Sequence, residues 1–224
     1  MSDLSALLAS FFATDHCSLK ICGVTRDADA LGLIDCGVTA LGVNFWPLSK
    51  RFIAPDDASS WLRSSAGRIL RVGVFVNAAT GYMAEIYQDG LIDVVQMHGD
   101  ESPDDMRLLA DAGIPCIKAL GIHDAGDLVS LADYASARAL LLDTAAPGVY
   151  GGTGATFDWS LAVEARRLQP QMPLLLAGGI TPDNARAAIA MVRPAAIDIA
   201  SGAESSPGVK DFDKVRALLS CMTA

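Results

Sequence analysis

The sequence is poor in histidine, in paired cysteines, in long apolar runs and in positive charge, and each shortage removes a class of function. His16, His98 and His123 are the only histidines in 224 residues. A catalytic metal asks for two or three His, Asp or Glu ligands converging from strand ends, and this set supports such a centre poorly, so no metal is expected. Five cysteines, Cys17, Cys22, Cys36, Cys116 and Cys221, form no CxxC pair. An odd count without that spacing argues against a disulfide framework or structural zinc and for a reducing compartment, so a cytoplasmic location is expected. No apolar run reaches the about 18 residues a membrane helix needs. The net charge of −9 opposes a nucleic-acid surface. It leaves room for a small anion, which a few backbone amides and one or two cations can hold on an acidic protein. The opening MSDLSALLASFFATDH has Asp3 where a signal peptide would be basic. Residues 1–17 are expected to be an N-terminal extension, either an extra helical turn or a floppy segment.

No linker, charge run or low-complexity stretch divides the chain, and 51% of it is hydrophobic, enough for one large core. Eight short runs are nearly all apolar: 18–22, 40–45, 70–76, 94–97, 116–120, 139–143, 174–177 and 196–200. Such runs suit parallel strands covered on both faces. Helix-like segments lie between them. Pro55, Pro103 and Pro182 stand at first-turn positions, and Gly37 and Gly113 at C-terminal stops. The expected fold is α/β, a single (β/α)8 TIM barrel over residues 18–224. An open doubly wound sheet is the rival, but no GxGxxG follows the first run.

In a barrel of this kind the active site lies at the C-terminal strand ends, often with a phosphate site after strands seven and eight. Those last two runs lead into LAGGI and DIASGAE, and glycine lets backbone N–H groups close around an anion. The other strand ends carry Cys22, Arg51, His98 and Asp143, and the fifth run contains Lys118. Taken singly, Cys22 reads as a small core residue, Asp143 as a cap, Arg51 as a solvated cation and His98 as a satisfied polar side chain. Lys118 fits either a Schiff-base lysine or, preferably, a buried lysine paired with an acid. Their shared location raises the functional reading of the set.

KICG at 20–23, SKR at 49–51, VGVFVN at 72–77, VQMHGDE at 95–101, LLLD at 140–143, YGGTG with FDW at 150–159, LAGGI at 176–180 and DIASGAE with PGVKD across 198–211 follow one another in order. Over roughly residues 18 to 220 the chain resembles the phosphoribosylanthranilate isomerase family of tryptophan biosynthesis. The resemblance implies a single barrel that carries out an Amadori rearrangement of a small phosphosugar by acid–base chemistry, with no cofactor. It implies Cys22 as general base and Asp143 as general acid. It implies Arg51 on the anthranilate carboxylate, with His98 and Asp198 lining the pocket. Gly178, Gly179, Ser201 and Gly202 would hold the phosphate. Monomer and homodimer both stay open. Met97 stands where leucine is more usual, a volume-conserving change.

The chemistry sets conditions on these groups. An ordinary aspartate is ionised at neutral pH, so the acid role asks for a carboxyl withdrawn from water. A thiol has only a small ionised share there, which a nearby cation would enlarge. Three alternatives stay in view: a Schiff-base or metal-using barrel, a phosphosugar-binding protein without chemistry, and an isomerase that also accepts an aminoimidazole ribonucleotide.

Overall fold

The structure, a computed structural model, describes residues 3–145 and 157–222; the YGGTG stretch at 150–154 lies outside them. Chain order is α1 (Asp3–Phe11), β1 (Ser18–Cys22), α2 (Asp27–Asp35), β2 (Ala40–Asn44), α3 (Pro55–Ser64), β3 (Leu70–Phe75), α4 (Thr80–Gln88), β4 (Val94–Met97), α5 (Pro103–Asp111), β5 (Cys116–Ile122), a 3-10 helix (Ala125–Tyr134), β6 (Ala139–Thr144), α6 (Trp159–Leu168), β7 (Leu174–Leu176), α7 (Ala185–Val192), β8 (Ala196–Ile199), a short hairpin of β9 (Glu204–Ser206) and β10 (Val209–Lys210), and α8 (Phe212–Met222). Strands β1 to β8 pair in parallel and close into a barrel, with Lys20 of β1 opposite Asp198 of β8. The barrel expectation holds.

The alternation of each strand sorts its side chains. Leu19, Ile21, Leu41, Val43, Val95, Met97, Leu140 and Leu142 face outward into the helix-packed core. Ala40, Leu70, Val72, Val94, Ile117, Ala139, Leu141, Leu175 and Ala196 face inward and fill the N-terminal half of the barrel. The same alternation turns Lys20, Cys22, Asn44, Gln96, His98, Asp143 and Asp198 inward toward the C-terminal mouth.

The N-terminal extension differs from expectation. It is neither a single turn nor loose chain, because α1 runs for nine residues. Phe11 and Phe12 are buried in an edge-to-face pair, ring centroids 5.0 Å apart, inside the inward-facing cluster. The Arg138 guanidinium lies 5.6 Å from the Phe12 centroid. Two aromatic rings thus plug the barrel floor, where the strand-borne alanines leave space.

Two of the three prolines start helices as expected. Pro103 opens α5 within a Ser102–Asp105 capping box, and Pro55 opens α3. Pro182 lies in a turn, and α7 begins only at Ala185, after the Asn184 carboxamide accepts the Thr181 N–H at 2.8 Å. The segment after β5 is a 3-10 helix rather than an α-helix. Its inward residues Leu128, Leu131 and Tyr134 recur every three positions, the period of that helix.

Candidate active site

The mouth is built on two sides. On one, Lys20 and Cys22 stand two positions apart on β1 and share a face. Lys20 is fully buried, and its Nζ donates to both Asp198 oxygens at 2.9 and 2.8 Å. Gly42, next door on β2, makes the space. A Cβ there would stand 2.9 Å from Cys22 Sγ and 3.0 Å from Lys20 Nζ. Burial works to discharge Lys20, but the Asp198 carboxylate, with Cys22 adding to it, outweighs burial and holds the ammonium above the usual lysine range. Burial is also the largest influence on the Cys22 thiol and pushes it up; Lys20 pulls it down, Asp198 pushes it up and Lys210 pulls it down. This corrects the sequence expectation. The cations are present beside the sulfur, yet desolvation wins and the resting group is a thiol.

Arg51 lies on the same side. Its Nε and Nη2 grip Glu204 at 2.8 to 3.1 Å. The Glu204 carboxylate also accepts from Lys210 Nζ at 2.7 Å, and that ammonium donates to the Cys22 carbonyl at 2.5 Å. Arg51, Lys210 and Glu204 together carry one net positive charge. A carboxylate arriving at this rim would meet a cation already held in place.

The other side holds the acid candidate. Asp143 is 7% exposed, and its Oδ1 accepts the Thr144 N–H at 2.7 Å. His98 Nε2 lies 3.4 Å from Asp143 Oδ2, and Gln96 Nε2 lies 3.1 Å from His98 Nδ1. With Gln96 donating, Nδ1 accepts and the proton of a neutral imidazole sits on Nε2, facing the carboxylate. Gln96 Oε1 is buried and has no hydrogen-bond partner among the described residues.

The two glycine loops meet at the rim. Gly178 and Gly179 both have positive φ, 81° and 60°. Neither N–H donates to a protein acceptor among the described residues. A Cβ on Gly202 would lie 2.0 Å from the Ile180 carbonyl oxygen, so only glycine allows the β8 loop this close to the β7 loop. Ser201 is exposed at the start of the β8 loop. Two neighbouring left-handed glycines make a concave run of amides of the kind that binds anions.

Lys118 faces outward from β5. It pairs with Glu101 at 2.8 Å, donates to the Gly99 carbonyl at 2.6 Å and lies 5.4 Å from the Tyr134 ring centroid. It is the paired structural lysine and points away from the mouth, so the Schiff-base reading of Lys118 does not hold. The residues missed in the sequence are Lys20, Gly42, Gln96, Glu204 and Lys210. Lys20 and Gln96 had a signal: each is polar in an apolar strand, two positions before a site residue. Glu204 and Lys210 fall within the DIASGAE and PGVKD motifs, but nothing local shows that a hairpin far along the chain brings them to Cys22.

Comparison with known proteins adds a second line. Residues 19–220 match the family model of N-(5'-phosphoribosyl)anthranilate (PRA) isomerase. The N-(5'-phosphoribosyl)anthranilate isomerase of Syntrophus aciditrophicus is 43% identical over 204 residues, covering 91% of this chain and 86% of that protein. The crystal structure of the Thermotoga maritima phosphoribosyl anthranilate isomerase superposes with a TM-score of 0.84 at 37% identity, covering 92% of this chain and 98% of that one. A phosphoribosyl anthranilate isomerase in complex with reduced 1-(o-carboxyphenylamino)-1-deoxyribulose 5-phosphate superposes with a TM-score of 0.81 at 35% identity, over 92% of this chain and 98% of that one.

Proposed function

The chain belongs to the N-(5'-phosphoribosyl)anthranilate isomerase family and converts N-(5'-phosphoribosyl)anthranilate to 1-(2-carboxyphenylamino)-1-deoxyribulose 5-phosphate in tryptophan biosynthesis; we propose that Asp143 and Cys22 carry its proton transfers. Asp143 protonates the ring oxygen of the ribose as the nitrogen lone pair expels it, leaving an open-chain iminium ion. The positive nitrogen acidifies the neighbouring C2 proton. The Cys22 thiol gives its proton to water, and the thiolate so formed removes the C2 proton and becomes a thiol again. The enaminol that results ketonises: its C2 hydroxyl proton goes to the Asp143 carboxylate, and C1 takes a proton from water. The nitrogen lone pair supplies the electrons, so the reaction asks for no cofactor or metal.

The supporting observation is the position of the two groups. Both point inward at the barrel mouth, from β1 and β6, above a dry floor and beside the glycine loops. Arg51 receives the anthranilate carboxylate, its guanidinium held by Glu204, which Lys210 in turn anchors. His98 steadies the Asp143 carboxyl, and Asp198, pinned by Lys20, borders the sugar. Gly178, Gly179, Ser201 and Gly202 hold the phosphate, which does not react and so orients the sugar without chemical cost. We assign the catalytic unit to residues 18–224 and read the enzyme as cytoplasmic, a monomer or homodimer. Among the described residues no helix is long and apolar enough to cross a membrane.

The test uses the substrate's own emission. Purified enzyme mixed with phosphoribosylanthranilate should quench anthranilate fluorescence as product forms. The Cys22→Ser and Asp143→Asn proteins, folded by circular dichroism, should do so far more slowly. Wild-type turnover in either variant names the wrong group.

A further inference from the structure

A buried lysine inside a barrel needs a reason. Lys20 occupies an inward position where hydrocarbon would pack, and burying an ion pair is seldom the cheapest way to fill a core. Its partner Asp198 is on the neighbouring strand, in register, with both oxygens on the ammonium. The pair is therefore neutral as a unit and rigid. Cys22 follows two residues later on the same face. A Cβ on Gly42 would stand about 3 Å from both Cys22 Sγ and Lys20 Nζ, so a side chain at position 42 would crowd both groups.

We propose that Lys20 is a positioning residue for the proton transfer at Cys22: its ammonium, pinned by Asp198, stands beside the sulfur and balances the negative charge that forms there when the thiol ionises. The inference rests on Cys22 being the base. In a desolvated mouth a thiolate without a counter-charge is costly, and the thiol already suffers from burial. The other charged groups around the sulfur are Asp198 from β8, Lys210 from β10, and Arg51 from the loop after β2, itself held by Glu204. Lys20 has the largest charge effect of these on the sulfur and Asp198 the next. Removing both charges should therefore still make the thiolate harder to form. Removing Asp198 alone should make it easier.

The measurement is the pH dependence of Cys22 alkylation by iodoacetamide, read on the Cys22 peptide by mass spectrometry, alongside the pH dependence of kcat. An opposite charge at this range moves a midpoint by about 1 to 3 pH units. In Lys20→Met the alkylation midpoint should rise by that amount. The ascending limb of kcat should rise with it, with about tenfold lower turnover at neutral pH for each unit and recovery at high pH. Lys20→Met leaves Asp198 buried without a partner and can fail to fold. Lys20→Met/Asp198→Asn removes both charges and should show a smaller rise, and Asp198→Asn a fall. Midpoints that stay at the wild-type value in the folded proteins overturn the proposal and leave Lys20 a core ion pair. Full activity of Cys22→Ser would instead overturn the base assignment, so the two failures are distinguishable.

Discussion

The floor and the mouth of the barrel are made from the same strands, yet they are opposite environments. At the floor, Ala40, Leu70, Val94, Ile117, Ala139 and Ala196 point inward with Phe11 and Phe12 between them. One or two inward positions further along each strand stand Lys20, Cys22, Asn44, Gln96, His98, Asp143 and Asp198. The floor supplies cohesion by removing apolar area from water. The mouth spends part of it on buried polar groups that each need a partner. Stability and chemistry are thus separated along the barrel axis by one turn of the side-chain alternation, and changes at the two ends should have different readouts.

The largest effect expected is at the mouth. Cys22→Ser or Asp143→Asn should cut kcat by about 10²- to 10⁴-fold, the scale of a single acid–base group. Thermal stability should stay close to wild type, because neither change removes packed hydrocarbon. The fluorescence assay and a melting curve on the same samples check both halves. Loss of the fold together with activity would erase the contrast between the two ends.

The mirror experiment is at the floor. Phe12→Ala removes a fully packed ring and the seat of Arg138, and should destabilise by about 3 to 5 kcal/mol, the usual range for such truncations. Turnover per folded molecule should not change, since α1 lies at the far end from the strand termini that bear the site. Urea unfolding gives the first number and active-site-normalised kcat the second. A kcat that falls with the floor would mean that the ends are coupled.

Arg51→Ala should act more moderately and mostly on KM. Losing one charge-assisted contact to a carboxylate is worth about 1.5 to 3 kcal/mol, or roughly 10- to 150-fold in affinity. Steady-state kinetics resolve this: a drop confined to kcat would say that the guanidinium serves the transition state and not the bound carboxylate.

The floor and the mouth were not equally legible in the sequence. Strand positions were plain, since purely apolar runs bounded by glycine and proline have few other fates. Cys22, His98 and Asp143 stood out in the sequence as polar residues at strand ends, whereas Asp198 was implied only by the family resemblance. The plug was hidden, because Phe11 and Phe12 precede the first strand and nothing local says which way a terminal helix folds back. Thr181-Pro182 misled by two to three residues, where a polar turn satisfied by Asn184 displaced the helix start. The Glu204 hub was hidden for a third reason. Its partners Arg51 and Lys210 are 153 and 6 residues away in sequence, and only barrel closure brings the first within reach.

That hub gives the smallest and most specific prediction. Burial works to raise the Glu204 carboxyl, but the Arg51 hydrogen bonds and the Lys210 charge outweigh it and hold the group below its ordinary value of 4.5. A carboxyl depressed in the folded state stabilises the fold at any pH above its unfolded value. The contribution disappears as pH falls through the lower folded value, because the native state must then take up a proton it resists. The window therefore lies below about pH 4.5. The slope there cannot exceed one linked proton, about 1.4 kcal/mol per pH unit. Glu204→Gln keeps the shape, removes the titration and leaves Arg51 and Lys210 facing each other. It should be less stable than wild type at neutral pH, and the gap should narrow as pH falls through that window. Urea midpoints for both proteins across the acid range measure it. Parallel curves would mean that Glu204 ties the hairpin to the mouth by shape alone, and that the cation offered to the substrate does not depend on its charge.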